Sequence, residues 1–305
     1  MAEWLLADMG ASHTRLALAT GDGLRPATAQ RLTNADFAAP EALIAAYLGG
    51  ARVSAICAGV AGPVRAGTAQ LTNRHWRIKT AALAHLTGAA RVHLMNDLQA
   101  QAMVLDDLDP ASLIPVLPGT PDPEGARMVL GLGTGSNIAV AHRMEGRLFV
   151  PPAEAGHSGL PHLDTEANAA IAALGAEIAH KPYEALLSGP GLARLHRLRT
   201  GEETEAQTLL AGADAGPARE TIALFARLLG AVAGNLALIH MATGGVFLIG
   251  GTARAIAPHL AGTDFAEAFT ARGPYAGIMR AIPVTLVTDD MAALRGCWRV
   301  LRQAM

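Results

Sequence analysis

The apolar positions at the start of the chain fall in two short runs. Trp4-Leu5-Leu6-Ala7-Asp8 is followed by a glycine-containing stretch, Met9 to His13, and then by Thr14-Arg15-Leu16-Ala17-Leu18-Ala19. Runs of this length on either side of a tight bend predict a β-hairpin, because a βαβ unit needs a helix-length connection. The plan recurs at Met128-Val129-Leu130-Gly131-Leu132, where Gly133-Thr134-Gly135 leads into Ser136-Asn137-Ile138-Ala139-Val140-Ala141. Two glycine-turned hairpins, each opening one half of the chain, indicate an internally duplicated protein.

Between the hairpins the pattern predicts a helix over Asp36 to Leu48, a buried strand Val53 to Val60, a helix from about Thr80 to Leu86, a strand Val92 to Met95 and a helix starting at Asn96. The second half turns helical from Asp164, with long runs at Ser188 to Arg199 and Ala218 to His240. A strand, Val246 to Ile249, ends in Gly250-Gly251, and a last strand, Val284 to Val287, precedes a terminal helix from about Asp290. Alternating strands and helices with short connections make this an α/β chain. The stretch Leu105 to Gly125, with five prolines or glycines from Pro110 to Pro121, reads as a loop and as the boundary between halves. The expected domains are therefore 1–107, completed by the helix 290–305, and 108–289. Leu228 to Met241, the longest apolar stretch, is interrupted by Gly230, Gly234 and Asn235 and is shorter than the about 18 residues of a membrane span. It reads as a buried helix whose glycines, four apart, admit a second backbone.

Composition narrows the class. A chain of 305 residues, 51% apolar and 16% charged, can fill two cores, which argues against long disordered stretches. The net charge of -2 gives no overall cationic field for nucleic acid or an anionic membrane, so a small neutral or anionic metabolite is the expected partner. Cys57 and Cys297 form no C-x-x-C pair and read as buried thiols of a reducing compartment. Met1 to Ala7 carries Glu3 and runs straight into the first strand, so neither a secretion signal nor a location outside the cytoplasm is expected.

Neither a G-x-x-x-x-G-K-[ST] loop nor a strand–G-x-G-x-x-G–helix unit is present, so phosphate chemistry would need another scaffold. Gly133-Thr134-Gly135 at a strand end can offer successive N–H groups to an anion, or can be an ordinary hairpin turn. Gly250-Gly251 can border a nucleotide base or cap a connection. Asp8, where the first strand meets its turn, can hold a hydrated Mg2+ or can simply initiate the turn. Asp97, at the end of an apolar strand, can face a crevice as a base or can cap the following helix. Glu154-Ala155-Gly156-His157 and Glu184 set polar groups among small and apolar residues, as a sugar site requires. His157 can equally be a structural histidine, and His162, five residues on across Pro161, makes a metal pair at helical spacing disfavoured.

Taken in order, these elements resemble the bacterial glucokinases of the hexokinase and actin-like ATPase superfamily, over nearly the whole chain. Asp8-Met9-Gly10 through Arg15 looks like the family's first phosphate hairpin, and Gly131 to Gly135 like the second. Ala61-Gly62-Pro63-Val64 with Leu71-Thr72-Asn73-Arg74-His75-Trp76 looks like its sugar-side segment, and Leu94-Met95-Asn96-Asp97-Leu98-Gln99-Ala100 matches the segment of the catalytic aspartate. Glu154 to His157, then Glu184 ahead of Leu187-Ser188-Gly189-Pro190-Gly191-Leu192, fits the glucose-contacting part, while Gly244 to Gly251 is similar to the adenosine segment.

The resemblance implies a two-domain actin-like ATPase (ribonuclease H-like) fold with a duplicated βββαβαβα-type core and an interdomain cleft that closes on sugar. It implies ATP-dependent phosphorylation of the 6-hydroxyl of glucose. Asn96, Asp97, Glu154, His157 and Glu184 would bind the sugar, with Asp97 as base. Gly10, Ser12, Thr14, Gly133, Thr134, Gly135, Gly250 and Gly251 would meet the nucleotide, and Asp8 would serve Mg2+, through water. Glucose and ATP are the implied partners, and a homodimer is compatible with the family. The cysteine-rich zinc motif of the related repressor and sugar-kinase family is absent, which places the chain with the zinc-free branch, and no DNA-binding extension is expected.

Three places depart from the family pattern: Ala11-Ser12-His13 where Gly-Thr-Asn is common, Ser136-Asn137 where Leu-Gly is usual, and Glu154-Ala155 in place of Glu-Gly. Asn tolerates left-handed angles, so Asn137 need not deform its turn; the Cβ of Ala11 either weakens ATP binding at a point of close backbone approach or means only that φ is negative there. Two other readings stay open on these residues: a kinase for another hexose or amino sugar, and a sugar-binding sensor that has lost catalysis. A filament protein has no need of the Glu154, His157 and Glu184 set.

Overall fold

The first apolar run folds as β1 (Trp4–Met9), buried at every position except Asp8, and turns back as β2 (His13–Thr20) with Asp8 opposite Arg15 and Met9 opposite Thr14. The computed structural model describes residues 3–71 and 75–304. It divides into two units: one holds the chain up to Leu108, Met144–Pro152 and the end from Asp289, the other Asp109–Arg143 and Ala153–Thr288.

In the first unit β2 also carries β3 (Gly23–Leu24) and β4 (Gln30–Thr33) on its outer side. Neither was anticipated, since two to four residues are too few for a period to show. Helix α1 (Pro40–Leu48) begins at Pro40 and not at Asp36, where a single 3-10 turn forms; proline's fixed φ suits the first helical position. Strand β5 (Ala55–Val60) is buried throughout and pairs in parallel with β1. A small sheet that was also unforeseen follows, β6 (Val64–Arg65), β7 (Thr68–Gln70) and β8 (Arg77–Lys79), then α2 (Thr80–Thr87). Strand β9 (Arg91–Asn96) completes the order β3-β2-β1-β5-β9 and runs directly into α3 (Asp97–Ala102).

The C-terminal helix, Ala292–Gln303, packs on α3, β5 and β1 through Ala292, Ala293, Leu294, Gly296, Cys297 and Leu301. Cys297 donates to the Ala7 carbonyl at 3.6 Å, and both cysteines are buried. Met144–Pro152, expected with the second domain, falls in the first unit. One tie is Gln99 Nε2, which donates to the Val150 carbonyl at 2.7 Å.

The second unit is built on β10 (Leu113–Leu117), β11 (Arg127–Leu132) and β12 (Ser136–Met144), followed by α4 (Thr165–Glu177), α5 (Gly189–Thr200), α6 (Ala206–Ala211) and α7 (Gly216–Ile239). Strand β14 (Gly245–Ile249), α8 (Gly251–Ile256), α9 (Phe265–Thr270), α10 (Ala276–Ala281) and β15 (Val284–Val287) follow; the short β13 (Arg147–Phe149) belongs to the first unit. The strands of the second unit lie in the order β10-β15-β14-β11-β12. Strand β10 lies inside the stretch read as loop. Its Pro115 hides the signal, yet an edge strand beside a bulge accommodates a proline.

The two glycines of α7 do what their spacing predicts. A Cβ on Gly230 would stand 2.4 Å from the Phe265 carbonyl oxygen, and one on Gly234 2.5 Å from that of Phe269, so α9 lies directly against the α7 backbone. By length and composition α7 could cross a membrane, but 72% of its most apolar window is buried in the protein.

Candidate functional site

In the first unit, β1, β5 and β9 run in parallel with Met9, Val60 and Asn96 side by side. The hairpin turn after Met9 and the residues after Asn96 therefore leave the same edge of the sheet, about 10 Å apart at two strand spacings. The turn is held from beneath by Asn34, which is wholly buried. Its Nδ2 donates to the carbonyls of Gly10 and Ala11 at 2.8 and 3.3 Å, its backbone N–H donates to the Ser12 carbonyl at 2.9 Å, and its Oδ1 accepts from Thr14 Oγ1 at 2.8 Å. A turn whose carbonyls are tied inward can turn N–H groups toward an approaching anion, although the Gly10 N–H is itself donated to the His13 carbonyl at 3.0 Å.

Ser12 is exposed and Gly10 half-buried at this turn. Thr14 is different: it is 0% exposed and its hydroxyl is engaged by Asn34, so the side chain expected to meet nucleotide braces the turn instead. Ala11 does not appear among the described residues with positive φ, so its Cβ causes no backbone strain. Asn34 was missed because nothing in its local sequence separates it from a loop asparagine.

Asp8 is paired with Arg15 Nη1 at 3.2 Å, and its side chain is 13% exposed. Burial pushes its pKa above the ordinary carboxylate value, while the Arg15 guanidinium pulls it back. Among the described residues no group of three or more His, Cys, Asp or Glu side chains could hold a metal ion. A single, partly accessible carboxylate fits a Mg2+ ion whose other ligands are water and substrate phosphates.

At the end of β9 the two candidates divide their work. Asn96 is the N-cap of α3: its Oδ1 accepts from the Leu98 N–H at 2.9 Å, and Gln99 Oε1 accepts from the Asn96 N–H at 3.0 Å, a reciprocal capping box. Asp97 is the first helical residue, half-buried, with Oδ1 accepting from Leu98 N–H at 3.0 Å. The Leu98 N–H is thus shared by Asn96 and Asp97, with the reciprocal box belonging to Asn96. Of the proposed sugar-side segment, Thr72, Asn73 and Arg74 lie outside the described residues, while Leu71 N–H donates to the Trp76 carbonyl at 3.0 Å.

In the second unit, β11 and β14 are parallel with Gly131 beside Ile249, which brings Gly133-Thr134-Gly135 and Gly250-Gly251 to one end of the sheet. The Gly133 carbonyl accepts from the Gly189 N–H at 2.8 Å and from Thr252 Oγ1 at 3.1 Å, fixing the turn to the starts of α5 and α8. Thr134 and Gly135 remain exposed.

The same hairpin reaches the expected sugar residues. The Ser136 N–H donates to Glu184 Oε2 at 3.1 Å, and Asn137 Nδ2 donates to Glu154 Oε2 at 3.0 Å. His157 Nε2 lies 3.8 Å from Glu184 Oε1, too far for a hydrogen bond but within reach of an ion pair when the ring is protonated. Glu154, His157 and Glu184 are thus gathered around the hairpin. Burial pushes the Glu154 carboxyl above its ordinary value; His157 lowers it and Glu184 raises it further. Tyr183, 1% exposed, faces Ser136 beneath this surface, and burial pushes its phenol well up so that it stays neutral. Asn137 and Tyr183 were not assigned roles from the sequence; the adjacency of Tyr183 to Glu184 was the available signal.

Residues 5–304 match the family model described as glucokinase. The chain is 35% identical to a glucokinase of Sinorhizobium medicae, over 96% of this chain and 90% of that protein. It is 32% identical to a glucokinase of Saccharophagus degradans, over 97% of each. A crystal structure of a glucokinase from an Antarctic psychrotroph superposes with a TM-score of 0.88 at 27% identity, covering 99% of both chains.

Proposed function

The chain belongs to the glucokinase family, and from that membership together with the local geometry we infer how it phosphorylates glucose with ATP, and with which residues. The products are glucose 6-phosphate and ADP. The 6-hydroxyl oxygen bonds to the γ-phosphorus, the bond from that phosphorus to the β,γ-bridging oxygen breaks, and ADP leaves with the electron pair. The hydroxyl proton passes to Asp97. Such a base needs only modest strength, because the proton is released mainly as the new P–O bond forms.

The observation that supports Asp97 in this role is the division of work at the start of α3. Asn96 is the N-cap and makes the reciprocal box with Gln99, while Asp97 Oδ1 shares the Leu98 N–H, which holds the Asp97 carboxylate at the carboxyl end of β9. Glu154, His157 and Glu184 are assigned to the sugar hydroxyls, each of which needs a placed donor or acceptor. The turns at Gly10 to Ser12 and Gly133 to Gly135 are assigned to phosphate oxygens, through backbone N–H groups other than those of Gly10 and Gly133, which donate to the His13 and Gly135 carbonyls at 3.0 and 2.9 Å, and Gly250-Gly251 is assigned to the adenosine side. Asp8 would hold Mg2+ through water; bound there, the ion would neutralise phosphate charge. Positioning and charge neutralisation provide the rate enhancement. We assign the enzyme to the cytoplasm, a reducing compartment in which its two buried, unpaired cysteines stay as thiols.

The test is ADP release from ATP with glucose, mannose, fructose and N-acetylglucosamine side by side. Glucose is expected to give the highest kcat/KM. A higher value for another sugar would reassign the substrate; a glucose-dependent thermal shift with no ADP release would make the chain a sensor.

A further inference from the structure

Asn137 uses its whole side-chain amide. Nδ2 donates to the Ala153 carbonyl at 2.8 Å and to Glu154 Oε2 at 3.0 Å; Oδ1 accepts from the Ile138 N–H at 2.8 Å and from the Ala155 N–H at 2.9 Å. Two donors and two acceptors exhaust what a primary amide offers. Three of the four bonds reach the stretch Ala153 to Ala155, sixteen to eighteen residues away, so they are not a local turn. Asn137 sits on β12, and it is not among the described residues with positive φ, so the backbone does not explain the choice of asparagine.

Two of the three departures from the family pattern therefore meet: the Asn137 side chain clasps the backbone of Ala155 and the carboxylate of Glu154. The same loop is also packed on this strand at Gly156, where a Cβ would stand 1.9 Å from the Ser136 carbonyl oxygen. The Asn137 amide joins the hairpin to the Glu154 carboxylate, as the Ser136 N–H joins it to Glu184.

We propose that Asn137 is a positioning residue for sugar recognition: it orients the Glu154 carboxylate and couples the second phosphate hairpin to it. This rests on the assignment of Glu154 to the sugar. The bond to Glu154 is charge-assisted and points one carboxylate oxygen at the amide, leaving the other for a hydroxyl. A glycine at this position would release the carboxylate into several rotamers, and binding would carry the cost of ordering it.

The experiment compares wild type with Asn137→Gly and the isosteric Asn137→Asp, each alone and with Glu154→Gln, with melting temperature recorded for every protein. For Asn137→Gly, loss of all four bonds, among them the charge-assisted one to Glu154, predicts a rise of about tenfold or more in KM for glucose, with kcat and KM for ATP within about twofold. In the Glu154→Gln background the same change is expected to shift KM by less than about twofold, because the residue acts through Glu154. Asn137→Asp sets a second carboxylate against Glu154, in a neighbourhood that already holds His157 and Glu184. It is expected to move the acid limb of kcat/KM for glucose to higher pH. An unchanged glucose KM in Asn137→Gly, or a full effect that persists in Glu154→Gln, overturns the proposal. If Glu154→Gln alone leaves glucose KM unchanged, it is the assignment of Glu154 to the sugar that fails.

Discussion

The Ser136 backbone N–H donates to Glu184 Oε2 at 3.1 Å, so a strand residue of the second hairpin directly orients a carboxylate 48 residues further on. Gly156 lies against the same strand residue, 1.9 Å from the Ser136 carbonyl oxygen if it carried a Cβ and 3.4 Å from Glu184 Oε2. Hairpin, Glu184 and the loop of Glu154 form one packed set, and its rigidity depends on this close approach.

Gly156→Ala is therefore expected to push the loop off the hairpin. Overpacking against backbone costs about 1–3 kcal/mol of stability. KM for glucose should rise more than KM for ATP. Thermal melting and two-substrate kinetics check this; a variant with unchanged melting temperature and glucose KM would show that the loop yields freely.

Asp97→Asn should lower kcat by about 10²–10⁴, the usual contribution of a general base. Asparagine keeps an oxygen that can accept from Leu98 N–H, as Asp97 Oδ1 does at 3.0 Å, so the start of α3 should survive. Glucose affinity measured by calorimetry should stay close to wild type. Near-normal kcat would remove Asp97 from the chemistry.

Asn34→Ala leaves the Thr14 hydroxyl and the Gly10 and Ala11 carbonyls without their partner in the buried brace. Each unsatisfied buried group costs about 1–3 kcal/mol. The expected kinetic signature is a raised KM for ATP with little change for glucose, since the turn it holds is assigned to phosphate. Asn34→Asp, which can still accept from Thr14 but cannot donate to the carbonyls, should show the same direction. Equal rises for both substrates would count against a role specific to this turn.

Glu154 gives a pH signature whose sign differs between folding and binding. Its pKa is raised in the folded state above the ordinary 4.5, chiefly by burial. The folded protein thus holds this proton more tightly than the unfolded chain, and the stability it contributes is present at low pH and lost as pH rises through the folded value. Sugar binding runs the other way, because a hydroxyl donates to the ionised carboxylate. Glucose affinity should fall as pH is lowered through a value above 4.5, and Glu154→Gln should remove that dependence. A wild-type Kd that stays flat down to the ordinary carboxylate range would contradict the assignment.

The sequence determined what depends on near neighbours. Both hairpins, the α/β alternation, the buried glycine-spaced helix and the segment around Asp97 follow from residues a few positions apart, where turn chemistry and periodicity act. Strands of two to four residues such as β3 and β6 carry too little pattern to be read, and Pro115 masked β10 until its edge position became visible. Only the tertiary structure decided which groups hold the sites in place. Thr14 turned from expected ligand contact to brace because Asn34, 20 residues later, lies beneath it. Asn137, read as a tolerated turn residue, became the clasp on Glu154. A polar side chain has several satisfactory partners, and which one it meets is set by strand register and long-range packing, which no local stretch of sequence specifies.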